Sequence, residues 1–70
     1  MDVVLVFPSN SGTIIATKTL KESGVSARMI PTPGSVQTLS NLCLSIDASV
    51  EGRAVSVLKA ANVSVSAVYR

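Results

Sequence analysis

Histidine and tryptophan are absent from this 70-residue chain, and cysteine, phenylalanine and tyrosine occur once each. A structural zinc site needs about four Cys or His ligands and is therefore excluded, and no metal-binding residue is expected. One cysteine cannot close an internal disulfide. Nor can it form the paired thiols that copper or mercury carriers use. No Ser-His arrangement or carboxylate pair is legible, so we expect no enzyme and no cofactor. Charge is sparse as well. Lys18, Lys21, Arg28, Arg53, Lys59 and Arg70 oppose Asp2, Glu22, Asp47 and Glu51, a scattered net +2. That excess is too small to argue for nucleic acid as a partner.

Long hydrophobic runs are also missing. The opening run, Val3 to Phe7, follows an aspartate and stops at Pro8, without the basic flank of a signal peptide and too short for a membrane span. No membrane partner is expected. A single unpaired cysteine makes the cytoplasm the expected compartment. Seventy residues allow one domain, 1–70, near the lower size limit for folding on packing alone. A homodimer through an open sheet face or an edge strand would help such a chain.

What is present is small and β-branched: Val, Ile, Leu and Ala supply most of the apolar content, which favours strands around a compact core. Two segments repeat. "LKESGVS" (Leu20 to Ser26) and "LKAANVS" (Leu58 to Ser64) share Leu-Lys, two residues, Gly or Asn, then Val-Ser. Gly and Asn tolerate the left-handed backbone that closes a helix, so each copy reads as a helix end followed by a strand start. Upstream of the first copy, Val3 to Phe7 reads as a buried strand. Asn10 or Ser11 then caps a helix to about Ser23, with Thr13, Ala16, Thr17 and Leu20 inward and Ile14 or Ile15 marginal. Upstream of the second, Leu42 to Ile46 is a strand and Asp47 or Ser49 a cap. Val50, Ala54, Val57, Leu58 and Ala61 make a helical stripe. The order β-α-β-β-α-β implies an α+β, ferredoxin-like sandwich: a four-stranded antiparallel sheet with two helices on one face.

Alternation along the strands divides the faces. Val3, Leu5, Phe7, Val25, Ala27, Met29, Leu42, Leu44, Ile46, Val63, Val65 and Ala67 are expected under the helices. Val4, Val6, Ser26, Arg28, Ile30, Cys43, Ser45, Ser64, Ser66 and Val68 are expected on the open face. RNA-binding sheets of this topology stack bases on rings of the central strands. Here "LCLSI" has no ring, Phe7 faces the helices, and Tyr69 shares the parity of the core set.

Three features remain as candidate sites. Ser11, Gly12 and Thr13 open the first helix, where free amides attract anions; an ordinary capped helix start is the simpler reading. Pro31, Thr32, Pro33 and Gly34 force an extended path and then release a turn, either as a stiff connector or as a binding loop that reaches Ser40 and Asn41. Cys43 is the only thiol. A carrier thiol needs exposure and nearby positive charge or a helix N-terminus, whereas burial as a small hydrophobe is the ordinary fate of a free cysteine.

"LVFPS" at the start, a helix ending "LKESGV", then "RMIPTP" and "LKAANVSVSAVY" resemble the Se/S carrier protein-like domains, a family of small bacterial proteins. The resemblance implies a carrier that holds sulfur or selenium on a cysteine and passes it between protein partners. Family members continue from Pro-Thr-Pro with an arginine and reach a serine-rich stretch ending in Cys-Gly. Laid on this sequence, the arginine position is Gly34, the cysteine position Ser40 and the glycine position Asn41. Cys43 falls on a small apolar position. The resemblance therefore implies a scaffold without its carrier thiol, acting as a non-enzymatic interaction module. The alternatives are a working carrier using Cys43, and an anion or small-molecule sensor.

Overall fold

The computed structural model describes residues 2–32, 34 and 41–70. In chain order the elements are β1 (Asp2–Val6), α1 (Asn10–Glu22), β2 (Arg28–Pro31), β3 (Leu42–Asp47), a 3-10 turn (Ala48–Val50), α2 (Glu51–Ala60) and β4 (Ala67–Tyr69). The sheet order is β2-β3-β1-β4, and every neighbouring pair is antiparallel. β3 lies between β1 and β2, and β1 between β3 and β4. Each strand-helix-strand half is thus split by a strand of the other half. This is the ferredoxin-like arrangement expected from the element order.

Both helices close as the internal repeat requires. After α1, the Gly24 amide donates to Lys21 O (3.1 Å) and the Val25 amide to Leu20 O (2.9 Å). After α2, Asn62 donates to Lys59 O (3.1 Å) and Val63 to Leu58 O (2.9 Å). Each is a Schellman closure, and the left-handed residues are Gly24 (φ 78°) and Asn62 (φ 60°). The repeated Leu is fully buried in both copies, and the repeated Val packs on or into the same core. These valines leave the helix rather than begin a strand. β2 and β4 consequently start three and four residues later than the sequence pattern predicts, at Arg28 and Ala67.

The main core joins Val3, Leu5, Phe7, Leu44 and Ile46 of the sheet side to Ala16, Leu20, Ala54 and Leu58 of the helices. Each fully buried Leu or Phe contributes roughly 1.5–3 kcal/mol. Of the helical positions expected inward, Thr13, Ala16 and Leu20 are buried on α1, and Ala54 and Leu58 on α2. Ile14 and Ile15 are more than half exposed, and Ala61 is exposed. Met29 faces Leu44 as its parity requires, yet stays exposed because β2 is an edge strand.

The face assignment of β4 is corrected by the structure. Val68 pairs with Leu5 and packs on the main core. Ala67 pairs with Val6 and joins the opposite face. Val63 and Val65 already pack inward, so an additional residue is absorbed where the Ser66 amide donates to Val6 O at 2.7 Å. Alternation read from Val63 fails at that point. Tyr69 also moves, lying opposite Val4 on the open face.

Candidate functional site

Antiparallel pairing gathers the end of β1, the start of α1, the β2–β3 connection and the start of β4 at one pole. Ser9, rather than Asn10 or Ser11, caps α1: its hydroxyl accepts the Gly12 amide at 3.2 Å. That choice leaves the Asn10 carboxamide free to leave the helix, and its Oδ1 accepts the Asn41 amide at 2.8 Å. The buried Thr13 hydroxyl lies 3.2 Å from both Ser9 O and Leu42 O, a donor shared between its own helix and the start of β3. Across the connection, the Thr32 amide donates to Asn41 O at 3.1 Å. The first turn of α1 is therefore stapled to the β3 side of the β2–β3 junction, and Thr32 on the β2 side bonds to Asn41 in turn.

Of the proposed loop residues, Pro31 ends β2 opposite Leu42, Thr32 is half-buried, and Gly34 and Asn41 are exposed. Pro33 and Ser40 lie outside the described residues. Of the proposed anion residues, Gly12 spends its amide on the Ser9 cap, Thr13 spends its amide and hydroxyl within the fold, and Ser11 is exposed. Asn10 carries the link to the loop end, where the sequence offered it only as a candidate helix cap. The signal for it was the serine one place earlier, a cap that turns the next side chain outward.

Cys43 sits in β3 between Ile30 and Val6, in register with both, and is completely buried. Val6 is buried with it, and Val4, Ile30 and Ala67 pack around the pair. The Thr32 Oγ1 and Cys43 Sγ atoms are 3.4 Å apart, a weak hydrogen bond in which either atom can donate. Arg28, the nearest cation by register, stands beside Ser45, two residues further along β3.

Among the described residues, no group of three or more His, Cys, Asp or Glu is placed to hold a metal ion. No helix among them is long and apolar enough to cross a membrane.

This geometry defines a ferredoxin-like α+β domain with the start of β3 bonded to α1 at one pole and a buried thiol in that same strand. A family model described as Putative Se/S carrier protein-like matches residues 2–70, and the chain belongs to that family. No curated protein and no solved structure matches it.

Proposed function

We propose that this chain is a non-enzymatic member of the Se/S carrier-like family that lacks a carrier thiol and engages a protein partner through the pole formed by the β2–β3 connection. The observation that carries this reading is the burial of Cys43. It is the only sulfur nucleophile in the sequence, and it has no solvent-exposed surface. Sulfur transfer needs a thiolate that a partner's sulfur can reach. The family cysteine position is Ser40 in this sequence, and a hydroxyl cannot form a persulfide. The neighbouring backbone at Asn41 is nevertheless fixed to α1, which preserves a defined loop end for recognition.

A homodimer through the open sheet face would rest on Val4, Ile30, Ala67 and Tyr69, since Val6 and Cys43 are already buried within one chain. Light scattering across a concentration series reads that association directly.

The functional test is intact mass after incubation of the native protein with a low-molecular-weight persulfide. Wild type is expected to gain no sulfur, while Ser40→Cys gains a persulfide on the new cysteine. A sulfur adduct on Cys43 of folded wild-type protein would overturn the reading in favour of a working carrier.

A further inference from the structure

The pole opposite the loop holds an open groove of about 900 Å³, between the end of α1, the start of β2 and the start of α2. Its volume falls within the usual range for small-molecule clefts. Buried Val25 and Ile46, with half-buried Ala27 and Val50, give it an apolar floor. Gly24 and Ser26 at the mouth add no bulk, and a Cβ placed on Gly24 would meet nothing within 4 Å.

Three cations line the groove: Lys21 of α1 and Arg53 of α2 on the helix side, and Arg28 of β2, whose place opposite Ser45 puts it on the open-face side of the sheet. None has a carboxylate partner among the described residues, where the ion pair is Arg70 with Glu51. Arg53 is held in place, because its Nη2 donates to Ser23 O at 3.2 Å across the gap between the helices. One guanidinium bond is used in that anchor, and the remaining donors of the fork are left for another acceptor. Asp2 and Asp47 also line the groove and pair with each other in register across β1 and β3. Their negative charge disfavours a second anionic group on that side.

We propose that this groove binds a small organic anion with one carboxylate or phosphate head on a short apolar body. Lys21 and Arg53 meet the head, and the Val25–Ile46 floor takes the body. This site is separate from the loop pole and does not depend on the carrier reading.

The test is amide chemical-shift titration of the full chain with hexanoate and with hexyl phosphate. Hexylammonium and inorganic phosphate at matched ionic strength serve as controls. Saturable shifts at Val25, Ser26 and Arg53 with at least one hexyl anion are expected, and none with hexylammonium. Whichever of the two binds more tightly identifies the head group. Loss of a charge-assisted hydrogen bond is expected to weaken binding about tenfold in Arg53→Gln. Lys21→Glu changes only an exposed side chain and is expected to weaken binding at least as much, which keeps the test valid if Arg53→Gln loosens the fold. Shifts that never saturate, that inorganic phosphate reproduces in full, or that Lys21→Glu leaves unchanged would overturn the proposal.

Discussion

Asn10 Oδ1 accepts the amide of Asn41 at 2.8 Å, across 31 positions of sequence. The bond joins the first residue of α1 to the residue that precedes β3, so the helix start and the loop end move as one body. Asn10→Ala removes the acceptor at an exposed site. Denaturant unfolding is expected to show a loss of about 0.5–1.5 kcal/mol. The sharper readout is hydrogen exchange, where Asn41 should lose protection while the Leu44 amide in the central strand keeps its own. Unchanged exchange at Asn41 would mean that the staple does not hold the loop in solution.

Gly24 and Gly52 should respond to alanine with opposite signs. Gly24 has φ 78°, a conformation that costs an L-residue roughly 1–2 kcal/mol. Gly52 lies in the first turn of α2 with open space where a Cβ would stand. Gly24→Ala is therefore expected to destabilise by about 1 kcal/mol, and Gly52→Ala to stabilise by about 0.5 kcal/mol. Asn62 occupies the equivalent closure after α2 at φ 60°. Asn62→Gly should be neutral to slightly stabilising, and Asn62→Ala should cost about 1 kcal/mol. Urea unfolding midpoints of these four variants, each set against wild type, decide the set.

The fold was legible because its strongest signals are local. The two Leu-Lys-x-x-Gly/Asn-Val-Ser copies state where each helix closes, and the apolar runs Val3–Phe7 and Leu42–Ile46 state where the central strands lie. β4 was misread because face assignment assumed unbroken alternation from Val63. Absorption of one residue at Ser66 depends on the Val6 carbonyl of a neighbouring strand, which no local pattern contains. The burial of Cys43 was legible from the ordinary fate of a free cysteine and from its place on the same face as Val4 and Val6. Its contact with Thr32 was not, because that contact depends on how the chain leaves β2. The groove at the far pole was missed for a similar reason: Lys21 and Arg53 are far apart in sequence and come to line one groove only through topology.

Cys43 should be silent toward thiol reagents until the sheet opens. Complete burial means that labelling by an aromatic disulfide requires an opening event, so its rate should follow global stability through added urea. Labelling at the speed of a free thiol in the absence of denaturant would contradict the buried geometry. Cys43→Ala removes one buried heavy atom and is expected to cost about 1 kcal/mol. Cys43→Ser places a hydroxyl in the same apolar cluster, with Thr32 as its partner, and is expected to cost about 1–3 kcal/mol.

Acid sensitivity should trace in part to Asp47. The Ser49 hydroxyl and amide both donate to its carboxylate, the amide at 2.9 Å, and hold its pKa below the usual 3.8. Attraction to the chain's amino terminus acts in the same direction, and partial desolvation opposes both. A carboxylate whose folded value is depressed adds stability that is fully present above its unfolded value. That stability is lost as the pH falls from about 3.8 through the folded value. Unfolding midpoints should therefore be flat with respect to this group between pH 5 and pH 7, at about neutral conditions, and should fall below about pH 4. Asp47→Asn keeps a cap that can accept the Ser49 amide but does not titrate. The variant is expected to show a shallower decline between about pH 4 and pH 2 than wild type. Parallel declines in the two proteins would show that Asp47 does not contribute to acid unfolding.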